Sequence, residues 1–178
     1  MNYQIGDTVI HWTYGVGTVI GIDEKLFDGI TQQYYVVEIE LLKLWVPMKE
    51  ADGGSIRFPS DRDQFESLFG ILRTPGEPLP DNSFKRIFAL RQRMQKRSPE
   101  SLCHVIRDLT DQSRQHSLNM EDASLLARAK KHLLDEWVLA LGTPLPTAVR
   151  ELEAFLRTEP LEQNLPLEQA DEKSTINN

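Results

Sequence analysis

The sequence predicts an α+β protein, in which a small β-barrel (residues 1–60) precedes an all-α helical domain (residues 61–159). β-Branched and aromatic residues crowd the first sixty positions, which is typical of short strands. Beyond residue 60, apolar residues recur at helical spacing instead. The chain has 178 residues, of which 40% are hydrophobic and 26% charged, enough for a folded core. Residues 160–178 are polar and acidic, and we expect them to form a disordered tail.

Four segments carry the strand pattern: TVIHW, VGTVIGIDE, QQYYVVEIEL and LWVPM. Glycine and aspartate separate them, as turn residues do. Four or five short strands within about sixty residues favour a small SH3-like barrel over an open sheet. We expect the glycines in this region to form turns, bulges and points of tight curvature. They are Gly6, Gly15, Gly17 and Gly21.

The helical part divides at clear start and stop signals. DRDQFESLFGILR has helical apolar spacing, and the proline-rich TPGEPLPD ends it. Ser98-Pro99 reads as a helix start with proline in the first turn, and Asn119 is expected to cap the next helix. Gly142 should end that helix, and PTAVRELEAFLR predicts a last one.

Composition excludes several classes of protein. No run of 18 apolar residues is present, and the first residues lack the pattern of a secretory signal. The lone Cys103 excludes an internal disulfide. We therefore expect a cytoplasmic protein, most simply a monomer, that does not bind membranes.

Charge is distributed unevenly along this acidic chain. The net charge is −7, but residues 1–69 carry −6, residues 70–159 carry +2 and residues 160–178 carry −3. Within the positive part, NSFKRIFALRQRMQKR gathers six basic residues between positions 85 and 97 and no acidic one. An acidic chain repels DNA at long range, so a local cationic face would act only after a partner has recruited the protein.

On a helical wheel, that basic segment predicts an amphipathic helix over its whole length. Its cationic side would contact DNA phosphates, and its apolar side, which includes Phe84 and Phe88, would pack in the core. Alternatively, acidic side chains of neighbouring helices neutralise the basic residues. The candidate DNA-contacting residues are Lys85, Arg86, Arg93, Lys96 and Arg97, with Arg91 at the edge of the apolar side.

Catalytic and cofactor chemistry find no support in the sequence. Gly15-Val16-Gly17 lies between strands, whereas a nucleotide loop leads into a helix. Cys103 and His104 are adjacent on a helix and point in different directions, with Cys103 expected in the core. The other histidines lack metal-ligand spacing. We expect no enzyme activity, metal or cofactor.

The tryptophans have separate expectations. Trp137 shares a helical apolar stripe and should be buried in the core. Trp12 and Trp45 fall in predicted strands, where core or barrel-edge packing is the default. An exposed aromatic residue on an edge strand would instead favour strand addition to a partner.

Three blocks of sequence resemble those of CarD/CdnL-type bacterial transcription regulators. YQIGDTVIHWTYGVGTVIGID is similar to their start and to the RNA-polymerase-interacting domain of transcription-repair coupling factor. ILRTPGEPLPDNSFKRIF and VIRDLTDQSRQHSLNMEDASLLARAKKHLLDEWVLAL resemble the CarD-type second half. The resemblance covers roughly residues 2–142, and the second half distinguishes the CarD type from the coupling factor, in which a helicase follows.

The resemblance implies a Tudor/SH3-like barrel that binds the β subunit of RNA polymerase. It also implies a helical domain that contacts promoter DNA near the upstream edge of the bubble and stabilises the open complex. Many members wedge a tryptophan into the minor groove there. Ser83 aligns with that position, and serine cannot wedge; the adjacent Phe84 could replace it only if the helix were shifted or rotated.

The barrel departs from the family pattern as well. Two arginines that contact polymerase align with Lys25 and Trp45. Lysine keeps the charge but lacks the forked guanidinium, and tryptophan keeps no charge. Two functions therefore stay open: a transcription regulator that contacts DNA, and a protein-only interaction module of the same fold.

Overall fold

A computed structural model describes residues 2–27, 29–50 and 54–157, with the backbone alone at Phe27 and Glu50. In this part of the chain an antiparallel five-stranded sheet is followed by five α-helices, which confirms the α+β class. The predicted tail, 160–178, lies outside the described residues. The strands are β1 (Thr8–His11), β2 (Gly15–Phe27), β3 (Ile30–Ile39), β4 (Leu42–Pro47) and β5 (Ile56–Arg57). The helices are α1 (Arg62–Leu72), α2 (Ser83–Met94), α3 (Pro99–Gln115), α4 (Met120–Leu141) and α5 (Leu145–Arg157), and a short 3₁₀ helix spans Met48–Glu50.

The sheet curls until its two edges share one core. The strand order is β4-β3-β2-β1-β5, so β4 and β5 are the edge strands. Val46 of β4 and Ile56 of β5 nevertheless lie in the same buried cluster as Val9 and Val37. The Tyr3 hydroxyl donates to the Ile56 carbonyl oxygen (3.1 Å), which ties the N-terminal segment to β5. This curvature is what the short, glycine-punctuated strands predict.

Gly17 shows why the curvature requires glycine. A Cβ at this position would lie 2.4 Å from Ile39 Cγ1 and 2.8 Å from the Glu38 carbonyl oxygen. Only a residue without a side chain therefore permits β2 and β3 to approach so closely. The register between these strands shifts between Val19 and Gly21, at the bulge expected there.

Helix boundaries follow the local signals in the sequence. Ser98 caps α3, which has proline in its first turn, and Asn119 accepts from the Asp122 amide (2.8 Å) at the start of α4. Gly142 ends α4 with a left-handed φ of 66°. Asp61 and Gln64 form a capping box at α1.

The helical core is built around Trp137, which is fully buried as predicted. Its ring packs against Phe65, Phe69 and Phe155 at centroid distances of 4.6–5.9 Å. Cys103 is also fully buried, and burial raises the pKa of its thiol. This thiol is therefore an apolar core group rather than a nucleophile.

A buried carboxylate joins the two domains. Glu136 of α4, which is 1% exposed, accepts two 2.7 Å hydrogen bonds from the guanidinium of Arg57 on β5. The backbone N–H and the hydroxyl of Ser60 each donate to the same carboxylate at 2.9 Å. Burial by itself would raise the pKa of Glu136, but the bonds and charge of Arg57 and the bonds of Ser60 outweigh it and hold the pKa below its ordinary value.

We expect the Glu136→Gln variant to lower the free energy of unfolding by about 3 kcal/mol at pH 7, because a buried ion pair loses one charge. The free energy of unfolding, measured by urea titration, checks this. Glu66→Gln is the control, since its ion pair with Arg62 is exposed and should contribute less than about 1 kcal/mol.

The pH dependence follows from the lowered pKa of Glu136. Its stabilisation is present above the pKa of an unfolded glutamate and is lost as the pH falls through the folded value. Stability of the native chain should therefore fall more steeply on acidification than that of Glu136→Gln. Parallel pH profiles would contradict this assignment.

Candidate nucleic-acid and polymerase interfaces

The basic segment is shorter as a helix than its charge pattern predicts. α2 begins at Ser83, with Asn82 as its cap, and ends at Met94. Lys96 and Arg97 lie beyond its end, and Arg97 has a left-handed φ of 54°. The expectation of one helix over the whole segment is therefore wrong, because the chain turns before α3 begins.

The buried face of α2 is rotated from the face that the wheel predicts. Arg86, Ile87 and Leu90 are buried, whereas Phe84 is 77% exposed and Phe88 59% exposed. Core packing of these two phenylalanines is thus a wrong expectation. The physical reason is that Arg86 is drawn inward by a buried carboxylate of α4, which turns the phenylalanines toward solvent.

Arg86 is a structural residue. Its guanidinium pairs with Asp122 of α4 at 2.8 Å and donates to the carbonyl oxygens of Pro80 and Asp81. The side chain of Asp122 is completely buried, and Arg86 is the cation that compensates for that burial. Arg86 thereby holds the start of α2, and the loop before it, against α4.

Arg93 is also paired with acidic residues from elsewhere in the chain. It pairs with the fully buried Asp108 of α3 and with Glu77 at 3.3 Å. Arg107 is bound to the same Asp108 at 2.8 Å. For Arg86 and Arg93, neighbouring acids therefore account for the charge, as the alternative interpretation of the segment holds.

The remaining basic residues are exposed and lie in different places. Lys85 faces solvent in the first turn of α2, beside Ser83 and Phe84. Lys96 is exposed after α2, and the Arg97 guanidinium lies over the Trp12 ring, 5.4 Å from its centroid. The single cationic face expected for the segment does not form, although a DNA-contacting role for these residues stays a prediction.

The exposed start of α2 brings together three side chains that are candidates for contact with DNA. Ser83, Phe84 and Lys85 occupy the first turn, where the positive end of the helix dipole favours phosphate. Phe88 lies one turn further on and extends the apolar surface of Phe84. The sequence predicts Phe88 in the core, because the F-x-x-x-F spacing also fits a core stripe.

On the barrel, the structure brings Lys25 and Trp45 together. The Lys25 ammonium lies 3.7 Å from the centroid of the Trp45 ring, and the indole N–H of Trp45 donates to Asp23 at 2.9 Å. Trp45 is 42% exposed on β4, an edge strand. Two positions that are separate in the sequence thus form one aromatic and cationic surface on strands β4 and β2.

The described residues hold no cluster of three His, Cys, Asp or Glu side chains suited to a metal ion. Among the described helices, none has the length and apolar character needed to cross a membrane.

Two family profiles match this chain. The CarD-like/TRCF RID domain covers residues 3–58, and the CarD C-terminal domain covers residues 67–153. The first match spans the curled sheet, and the second runs from α1 into α5. The chain therefore belongs to the CarD family, whose members are proteins of the transcription-factor type.

One curated relative supports this class. The chain is 24% identical over 143 residues to YdeB of Bacillus subtilis (strain 168), which carries the provisional name of a transcription factor. The alignment covers 79% of this chain and 93% of the relative, so it includes both domains.

A structural role for Arg86 has a direct test. We expect Arg86→Ala to lower the free energy of unfolding by about 3 kcal/mol, because it leaves the buried Asp122 without its cation. Lys85→Ala is the matched control on the same turn and should change stability by less than about 0.5 kcal/mol. Urea unfolding of both variants measures these changes in the free energy of unfolding. Equal losses of stability in the two variants would contradict the structural role of Arg86.

Proposed function

We propose that this protein regulates transcription by binding the β subunit of RNA polymerase through its barrel and stabilising the promoter open complex through its helical domain. The observation that carries this proposal is the exposed first turn of α2, which holds Phe84 and Lys85 on a helix that buried ion pairs keep in place. Membership of the CarD family supports the assignment of RNA polymerase as the partner of the barrel.

On the DNA side, Phe84 takes the role of the wedge. An apolar ring that is 77% exposed gives up little packing when it inserts, and such rings unstack a base step when they enter the minor groove. Lys85 and the helix N-terminus would hold the neighbouring phosphates. Ser83 is too short to insert, but the rotation of α2 presents Phe84 directly beside it.

Fewer residues contact DNA phosphates than the six basic residues of the segment suggest. Lys85 contacts DNA at the upstream edge of the bubble, and Lys96 and Arg97 contribute at longer range. Arg86 and Arg93 act through the scaffold, because their guanidiniums are committed to Asp122 and Asp108.

On the polymerase side, β4 provides an edge for strand addition, with specificity from the side chains beside it. Trp45 gives an aromatic surface there, and Lys25 supplies the charge. This would replace an arginine pair by a stacked lysine and tryptophan. The exposed apolar residues of the β2–β3 hairpin could enlarge the contact: Ile22, Leu26 and Ile30.

The mechanism is a shift of population. The protein favours the open complex only by the difference between its affinity for open and closed promoter states. Barrel docking raises the local concentration of the α2 start at the DNA, which offsets the repulsion from a net charge of −7.

The protein-only module is the second candidate. Neutralisation of Arg86 and Arg93 by acids within the fold favours it, because fewer cations then remain for DNA. Such a module would bind polymerase through the same barrel surface without changing the lifetime of the open complex.

Phe84→Ala and Lys85→Glu should each shorten the lifetime of the polymerase open complex about fivefold relative to the native protein, corresponding to roughly 1 kcal/mol of lost open-state preference. Dissociation of preformed complexes after addition of a competitor measures this lifetime. Leu139→Ala, an exposed position on α4, is the control. Unchanged lifetimes for both test variants would reject DNA contact and favour the protein-only module.

Trp45→Ala and Lys25→Glu should each weaken binding to the isolated β subunit by about tenfold, because each removes half of the stacked pair from the edge surface. Surface plasmon resonance with immobilised β subunit measures the Kd. Arg150→Glu on α5 controls for the change of charge. Native affinity in both test variants would place the polymerase contact elsewhere.

A further inference from the structure

A cleft runs between the barrel and the helical domain, and Trp12 stands in its middle. One cavity of about 360 Å³ and another of about 330 Å³ adjoin this residue. Both are lined by Trp12 from the loop after β1, by Met94 at the end of α2 and by His132 of α4. The described residues that line the second cavity belong to neither the proposed DNA surface nor the proposed polymerase surface, and the first cavity shares Lys96 and Arg97 with the longer-range DNA contacts.

The cleft is positively charged although the chain is acidic. Lys96 and Arg97 line the first cavity, and Arg91 and Arg128 line the second. Glu136, the carboxylate lining the first cavity in the described part of the chain, is neutralised by Arg57. No acidic residue is among the described residues that line the second.

Arg91 is available despite an acidic neighbour. Its ion pair with Glu121 spans 3.2 Å, and both side chains are more than 60% exposed. Such surface pairs contribute little and exchange readily for another anion.

Trp12 is held as a preformed platform. The backbone N–H groups of Thr13 and Tyr14 donate to Nδ1 of His11 at 3.1 and 3.3 Å, which fixes the loop that carries the tryptophan. Burial, together with the charges of Arg97 and His132, lowers the pKa of His11 to about 4. The imidazole is therefore neutral at pH 7 and keeps Nδ1 as an acceptor.

Trp12 is partly covered within the chain: the Arg97 guanidinium lies over its ring, 5.4 Å from the centroid, and the His11 ring is stacked against it at 6.3 Å. Trp12 is 37% exposed, although it lies between two domains. An indole ring beside several cations is the combination that binds an aromatic base linked to phosphate. Each cavity also lies within the size range of small-molecule sites.

We propose that this cleft is a binding site for a nucleoside phosphate. The base stacks on Trp12, and the phosphates bind the arginine and lysine side chains that line the cavities. Because the site joins β1, α2 and α4, the bound ligand bridges the two domains and stabilises the folded chain. This inference does not depend on polymerase binding.

Guanosine diphosphate is the first probe. Calorimetric titration of the full chain should show saturable binding at one site. Guanosine alone and inorganic phosphate alone should each bind at least about tenfold more weakly, because each lacks one of the two recognised groups. Absence of saturable binding of the diphosphate at millimolar concentration overturns the proposal, and so does phosphate binding as tightly as the diphosphate.

Variants locate the site. Arg128→Glu reverses an exposed charge and should weaken binding at least about tenfold without affecting folding. Trp12→Ala should do the same, and its thermal unfolding shows whether the fold persists. Arg150→Glu is the control, because it reverses an exposed charge on α5 and lies outside both cavities. Native affinity in Arg128→Glu, or equal loss in Arg150→Glu, overturns the proposal.

A second experiment distinguishes a free nucleotide from a single DNA strand as the ligand of the cleft. Octathymidylate is titrated alone and in competition with guanosine diphosphate. Displacement of the diphosphate supports the cleft chemistry and makes a single DNA strand the source. Diphosphate binding that octathymidylate leaves unchanged supports a free nucleotide as the ligand.

Discussion

The carboxylate of Glu136 is the group on which the arrangement of the two domains depends. Taking a glutamate out of water is costly, and four hydrogen bonds compensate for that cost here: two from Arg57 and two from Ser60. Arg57 ends the barrel, and Ser60 immediately precedes the capping box of α1. One side chain of α4 therefore fixes both the last strand and the entry into the helical domain. The proposed polymerase surface, the proposed DNA surface and the cleft at Trp12 all keep their relative positions through this contact.

Buried ion pairs also decide which way α2 faces. Asp122 and Asp108 each bind an arginine of α2, and each is almost completely buried. Satisfying these carboxylates turns Arg86 and Arg93 toward the core side and leaves Phe84 and Phe88 in solvent. Exposing two aromatic rings one helical turn apart is unfavourable for a folded chain by itself. The proposed contact with DNA would account for that exposure.

The three tryptophans show how one residue type serves three environments. Trp137 fills the helical core, Trp45 lies on the edge of the sheet with a lysine stacked on it, and Trp12 stands in the cleft between domains. Each has an apolar neighbourhood in the sequence. The environments of the three tryptophans differ because different elements pack against them. The periodicity of one strand or helix carries no information about the element that packs against it.

The sequence by itself determined the features that depend on a few neighbouring residues. Ser98-Pro99, Asn119 and Gly142 mark helix ends because capping bonds and left-handed turns form within a few positions. The change from a strand-rich first part to a helical second part is equally evident from the amino-acid sequence. Tertiary structure alone decided which face of α2 is buried, since the acids that turn it lie far along the chain. Arg86 and Asp122 are 36 residues apart, and Arg57 and Glu136 are 79 apart. A helical wheel describes the hydrophobicity of one helix and contains no information on a buried carboxylate of another helix. In α2, pairing of Arg86 with that carboxylate outweighs the free energy that burial of Phe84 and Phe88 would contribute.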